Sequence, residues 1–336
     1  LDAIFQDFLT RYRNDCAYGP DGGLAEKAEI TSAIGTDLLL ATLAQKSTMP
    51  LPAFEDTSNK HLHVAEWLLG LPEEQLKAFQ LFQPLPPHQF HFVAGETDLF
   101  YDFRNTDIIL QEFAHAGAEI EGNFLDFGCS TGRNVATFHA FYGDKLKCYG
   151  VDPATSSIDW ANRQFPFADF SVNQQNQPLD FPNAHFDLVI AKSIWTHFSE
   201  AAAKKWFAEI SRVLKPGGHF FFSTHGPHDI AYRLKYNKPS PKYERYTGHE
   251  HWTKESFLSA IIEAFDTKGF FFQSFKETRY QWDLRDFKDA DTSGWGLAFM
   301  LPSFLESELL PADLKIVTRS VGRTGNRHDA YVVQKQ

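Results

Sequence analysis

Residues 125–134, LDFGCSTGRN, set an apolar run against a glycine-containing turn and then a helical segment. Gly128 and Gly132 let backbone approach a ligand closely, and the following helix N-terminus offers free N–H groups and a positive dipole end to a carboxylate or phosphate. Asp126, at the end of the apolar run, is placed to hold an ammonium group through water or backbone. Cys129, Ser130 and Thr131 stand between the two glycines, so the spacing is not the GxGxxG of dinucleotide enzymes. A second run, KCYGVDP, ends in Asp152, 24 positions after Gly128. An acid there can chelate the two ribose hydroxyls of an adenosine cofactor; the alternative for Asp152 is a helix N-cap. Two histidines fall where a base is useful, His197 after a third apolar run and His225 after a fourth. Imidazole titrates near neutrality, and open α/β sheets bind ligands at the carboxyl ends of their strands. Each ring has a structural alternative, His197 packed in its loop and His225 as a polar cap. The set His225, His228, Asp229, His249 and His251 offers metal-ligand chemistry, but its spacing is loose and a Lys/Tyr-rich loop divides it. Solvated loop histidines are the preferred reading, with no metal.

Elements must carry these residues. Short apolar runs at 124–127, 148–151, 186–191 and 220–223 read as strands, with helices starting near Gly132, Ser156 and Ser199. Their alternation predicts a parallel sheet covered by helices. Residues 99–115 read as an amphipathic helix stopped at Gly117. Further upstream, 24–46 and 58–82 carry apolar positions at helical spacing (Leu38, Leu39, Thr42 and Leu43; Val64, Trp67, Leu68 and Leu71), with Pro50 and Pro52 between them. Pro84, Pro86 and Pro87 form a stiff connector. A boundary near residue 90 therefore divides a helical N-terminal segment, 1–90, from a catalytic domain, 91–336. The segment is expected to be a lid, a homodimer surface or both. Residues 226–300 exceed a usual strand-to-helix connection and hold Tyr232, Tyr236, Tyr243, Tyr246, Trp252, Tyr280, Trp282 and Trp295, which suits a substrate-binding insertion.

Taken in order, these stretches resemble the class I S-adenosylmethionine (SAM)-dependent methyltransferases over roughly residues 96–336. The resemblance implies a Rossmann-like, doubly wound α/β fold with a seven-stranded, mostly parallel sheet and one antiparallel edge strand. It implies SAM as cofactor. Asp126, Gly128, Ser130 and Gly132 match the family's acidic-x-Gly-x-Gly-x-Gly motif, with Ser130 replacing the middle glycine, and Asp152 matches its ribose-binding acid. Gln175 and Asn176 occupy the place where members often carry Asp and a small residue for the adenine edge. Lys192, Ser193 and His197 match the stretch after the fourth strand, and Pro216, Gly217 and Gly218 the turn before the fifth. The tail from Trp295 to Val332 is similar to small-molecule and glycan-modifying branches. Methyl transfer from a sulfonium is an in-line displacement that needs alignment, and a base where the nucleophile holds its proton tightly. Ala191, Lys192, Ser193 and Ile194 are not the Asn/Asp-Pro-Pro-aromatic turn of amine-modifying branches, and Cys129 lies in the cofactor loop with no Pro-Cys pair elsewhere. Oxygen is the expected acceptor atom, with His225 and His197 the candidate catalytic residues.

Composition narrows the partners. Lys and Arg number 32 against 43 Asp and Glu, a net charge of −11, and no Lys/Arg-rich block could neutralise a row of phosphates, so nucleic acid is not expected. No run approaches the roughly 18 apolar residues of a membrane span. Three cysteines without CxxC spacing suit a reducing compartment, and the cytoplasm is expected. Leu1, Asp2 and Ala3 are not a basic-then-apolar signal, although a first residue other than Met leaves room for a removed leader. The 33 phenylalanines suit aromatic-rich packing before an aromatic cage. Two rivals remain: an NAD(P)-dependent oxidoreductase, whose Tyr-x-x-x-Lys occurs at Tyr331 and Lys335 but in a strand-like run, and a catalytically inactive methyltransferase-like binding protein.

Overall fold

The computed structural model describes residues 2–25, 33–46, 60–72, 99–174, 178–236, 254–275, 294–324 and 327–336. In chain order the helices are α1 (Asp2–Arg11), α2 (Ile34–Lys46), α3 (Lys60–Leu69), α4 (Leu99–His115), α5 (Arg133–Tyr142), α6 (Thr155–Gln164), α7 (Glu200–Val213), α8 (Pro227–Tyr236) and α9 (Lys254–Thr267). The strands are β1 (Gly122–Phe127), β2 (Leu146–Asp152), β3 (Ala168–Val172), β4 (Phe186–Ala191), β5 (Leu214–Thr224), β6 (Phe270–Ser274), β7 (Gly296–Met300), β8 (Leu314–Ser320) and β9 (Asp329–Lys335).

Seven strands form one sheet in the order β3-β2-β1-β4-β5-β9-β8, while β6 and β7 pair apart from it. All pairs from β3 to β5 are parallel; β9 runs against both β5 and β8. The single antiparallel strand therefore lies one place in from the edge, with β8 outside it. This is the Rossmann-like α/β architecture, and its order reverses between β1 and β4, where open sheets bind ligands.

The period-two alternation of strands distributes side chains to two cores. Phe124, Cys148, Leu188, Ile190, Phe221 and Val332 face one side, where α4 (Leu110, Phe113), α5 (Val135, Phe138) and α6 (Ile158, Ala161) cover them. Leu125, Tyr149, Val189, Phe220, Phe222 and Tyr331 face the other, against Trp206, Phe207 and Ile210 of α7. Ser199 starts that helix, its hydroxyl accepting from the Ala202 N–H at 3.4 Å. Among the described helices none is long and apolar enough to cross a membrane.

The described parts of the N-terminal stretch pack in two places. Phe8 and Tyr12 of α1, with Cys16 and Leu24, join Ile230 of α8, Phe257 and Ile261 of α9, and Leu297 and Phe299 of β7 in a third core. Leu39 and Leu43 of α2 and Val64 and Leu68 of α3 instead join the first core. Asp107, fully buried on α4, fastens this second attachment. Its carboxylate accepts from the Gly35 N–H at 2.6 Å, the Thr36 hydroxyl at 2.6 Å and His61 Nε2 at 2.7 Å. Orphan N–H groups at the start of α2 are thus satisfied by a residue 72 positions away.

Asp107→Ala should destabilise the protein by about 2–4 kcal/mol, because it strands buried donors from two helices at once. Urea unfolding with hydrogen exchange read on α2 and α3 checks this. Stability within about 0.5 kcal/mol of the parent would show that the apolar contacts alone hold these helices.

Candidate active site

The turn after β1 folds back on the end of β2. Gly128 and Cys129 both donate to the Val151 carbonyl, at 2.8 and 3.0 Å, and Gly132 donates to the Cys129 carbonyl at 2.8 Å. Gly128 has φ +83° and Gly132 φ +74°, a region that disfavours other residues. A Cβ on Gly128 would fall 2.2 Å from Ile194 Cδ1, and one on Gly132 2.7 Å from the Phe170 ring. Ser130 sits at φ +49°, which explains why the related motif favours glycine there; the serine holds a left-handed backbone at a cost of about 1 kcal/mol.

Asp152 closes the cradle. Its Oδ2 accepts from the Ser130 N–H at 2.8 Å and its Oδ1 from the Ala154 N–H at 2.9 Å, just ahead of α6. The carboxylate therefore does both things the sequence allows, tying local backbone and keeping lone pairs for hydroxyl donors, since a carboxylate has about four acceptor positions. Asp126 is buried beside it and accepts from Asn134 Nδ2 at 3.2 Å. Burial pushes Asp126 up to about 7; Asn134 opposes the shift and Asp152 adds to it. Burial likewise pushes Asp152 up to about 6, against its two backbone donors. Lys192, just past β4, is pushed down to about 8 by burial, with Asp102 pulling the other way. Asp102 on α4 pairs with Arg133 at the start of α5, with Nη2 to Oδ1 at 2.5 Å. Sequence reading missed this pair, which only packing of α4 over the turn reveals. Gln175 and Asn176, the expected adenine contacts, lie outside the described residues.

The two histidines meet on the other side of the carboxyl edge, where β7 crosses the turns. The Gly296 N–H donates to the His197 carbonyl at 2.9 Å, Ala298 to that of Thr196 at 2.9 Å, and Met300 to that of His225 at 3.0 Å. His197 Nδ1 donates to the Gly296 carbonyl at 3.0 Å, since a carbonyl only accepts. Burial, with His225 nearby, pushes His197 down to about 4, so its ring is neutral with Nε2 as acceptor. His225 is buried, its Nδ1 2.8 Å from Asp229 Oδ2. The sequence also passed over His328, whose Nδ1 lies 3.1 Å from Ser193 Oγ and whose ring meets that of His225 edge-on at 4.4 Å. The i, i+4 spacing of His225 and Asp229 was a usable signal, whereas His328 comes close only through the pairing of β9 with β5.

His228 turns elsewhere: its Nδ1 accepts from the Ala17 N–H at 3.2 Å, fixing the N-terminal stretch. His249 and His251 lie outside the described residues, and among those described no cluster of three His, Cys, Asp or Glu is arranged to hold a metal. Tyr331 stacks on Phe222 at 5.2 Å in the second core, and Lys335 Nζ donates to the Ser211 and Leu214 carbonyls, so this pair serves packing. Of the aromatic residues proposed as a substrate wall, Tyr232 is buried with Arg327 3.7 Å from its ring centroid, and Trp295 bridges Phe198. Tyr243, Tyr246, Trp252, Tyr280 and Trp282 lie outside the described residues.

An open sheet of this order with a glycine cradle and a carboxylate at the end of β2 defines a Rossmann-like nucleotide-cofactor protein. Residues 124–218 match the methyltransferase domain family. The chain is 25% identical over 186 residues to a probable SAM-dependent methyltransferase of Mycolicibacterium smegmatis, covering 53% of this chain and 62% of the relative. It is 27% identical over 167 residues to a thiol S-methyltransferase of Rattus norvegicus, covering 47% of this chain and 66% of that protein. The matches thus span just under two thirds of these relatives. A crystal structure of a SAM-dependent methyltransferase from Methanosarcina mazei aligns at a TM-score of 0.44 with 19% identity, over 66% of this chain and 96% of that one. Over residues 124–218 the chain is thus similar to SAM-dependent methyltransferases.

The residues present suit that cofactor: left-handed glycines where a Cβ would crowd the cradle, and a carboxylate with acceptor positions to spare. Both acids hold their protons above the ordinary 3.8. The protein without cofactor should therefore lose stability as pH rises from about 4 to about 7, the window in which the folded state must give up protons that the unfolded chain has already lost. Cofactor binding, which uses the ionised forms, should strengthen over the same window and release protons below pH about 7. Calorimetry in buffers of different ionisation heat measures that release; its absence at pH about 6 would remove these carboxylates from the binding step.

Proposed function

We propose that the chain catalyses SAM-dependent methyl transfer to a hydroxyl of a small molecule or glycan. The observation that carries the choice of oxygen is the neutral imidazole pair at the carboxyl edge, His197 pinned by the Gly296 carbonyl and His225 beside Asp229. Amine acceptors that react from their free base need no such partner, whereas a hydroxyl must lose its proton as it attacks.

SAM supplies an electrophilic methyl on a positively charged sulfur. Asp152 would hold the ribose hydroxyls, the turn at Gly128–Gly132 would support the amino-acid end, and Asp126 would face the ammonium. SAM would supply the methyl group to the acceptor oxygen, and His225 or His197 would accept the hydroxyl proton at an imidazole nitrogen. Proximity and alignment contribute most of the rate, and the base a further 10²- to 10⁴-fold. The acidic chain supports an acceptor other than nucleic acid. Three buried, free cysteines support a cytoplasmic setting.

Titration calorimetry should show SAM binding and no NAD(P) binding. Asp152→Asn, which preserves shape while removing charge, should weaken SAM by about ten- to a hundredfold. Radiolabelled SAM offered with pools of hydroxylated metabolites and oligosaccharides identifies the acceptor. His225→Gln should then lower turnover by about 10²-fold or more at unchanged SAM affinity. Equal turnover in the variant would move the base elsewhere.

A further inference from the structure

We propose that Lys192 is the residue by which the cleft selects a donor with a free carboxylate, its ammonium facing the carboxylate of the SAM amino-acid end while Asp126 faces the neighbouring ammonium. This rests on the reading above that the glycine turn and Asp152 hold SAM.

The sheet sets where Lys192 lies. Asp126 of β1 is in register with Ile190 of β4, so the chain leaving β4 passes the glycine turn two residues later. Ile194 makes the approach close, since a Cβ on Gly128 would fall 2.2 Å from its Cδ1. Lys192 is the first residue past β4 and is half-buried beside that turn. Leu188 and Ile190 face the first core under α4 and α5, and residue 192 continues their alternation. The charges that act on Lys192 come from the same side: Asp102 and Arg104 on α4, Arg133 on α5 and Asp126 on β1.

The acids among these neighbours are already engaged. Both oxygens of Asp102 meet Arg133, Oδ2 at 3.1 Å from Nε and Oδ1 at 2.5 Å from Nη2, and both side chains are 13% exposed. Asp126 Oδ2 accepts from Asn134 at 3.2 Å. Among the described residues no carboxylate lies within ion-pair distance of the Lys192 ammonium. Burial lowers Lys192 only to about 8, with Asp102 opposing, so it stays charged at neutral pH. A charge drawn this far out of water calls for a close counter-charge. An α-amino acid carries its ammonium and its carboxylate on one carbon. Adjacent strands lie about 4.8 Å apart, so an acid at the end of β1 and a cation just past β4 suit those two opposite charges side by side. The reverse orientation would set like charges together at both positions.

Titration calorimetry of the full chain reads this with two probes: S-adenosylhomocysteine, and its decarboxylated form, which lacks only the carboxylate. The parent should bind the first about ten- to a hundredfold more tightly than the second. Lys192→Met removes the charge at similar side-chain length. It should weaken S-adenosylhomocysteine by about tenfold or more and leave the decarboxylated form within about twofold. Lys192→Gln is read in the same way should the first variant fail to fold. A lysine that only supports the turn would cost both ligands alike, and that result overturns the proposal. Equal affinity of the parent for the two forms overturns it as well, and leaves the SAM reading standing. Binding of neither form by the parent removes that reading, and this inference with it.

Discussion

The carboxylate of Asp152 joins two turns that the ladder of β1 and β2 cannot reach. Strand pairing ends at Phe127 and Val151. Beyond it, the path of the glycine turn is set by donation from Gly128 and Cys129 to the Val151 carbonyl and from Ser130 to Asp152. The other oxygen of Asp152 holds Ala154 at the entrance to α6. One half-buried acid thus ties the glycine turn ahead of α5 and the entrance of α6 to the end of β2. The protein tolerates this acid in an apolar setting because backbone dipoles are organised around it, as buried charge requires.

A second constraint shapes the opposite side of the cleft. Strand β7 hydrogen-bonds the turn after β4 at His197 and the residue after β5 at His225. The third core then rests on β7 through Leu297 and Phe299, which ties α1, α8 and α9 to the same edge. Displacing any of these would shift the histidine-bearing turns. The N-terminal helix α1, remote in sequence, is therefore part of the packing behind the histidine-bearing turns.

Local pattern and long-range pairing explain what was legible in the sequence. β4 was readable because FDLVIA is apolar but for Asp187, and α4 because its periodic face ends at Gly117. β3, ADFSV, was not, since its exposed positions dilute the apolar signal and its buried Phe170 is one residue among polar neighbours. β6 and β7 were folded into a presumed insertion because their pairing is with each other and with turns. The glycine turn and its two acids were legible because Asp126, Gly128, Ser130, Gly132 and Asp152 lie in two contiguous stretches. His328 and Ser193 are 135 positions apart, and no local spacing joins them.

The two halves of the cleft solve the same problem in opposite ways. At the glycine turn, burial raises Asp126 to about 7 and Asp152 to about 6, against the donors that face them. At the histidine-bearing turns, burial lowers His197, His225 and His328, and the charge of Asp229 is balanced by Arg233. Arg233 thus limits the desolvation penalty of burying the Asp229 carboxylate, as a buried charge requires a close partner.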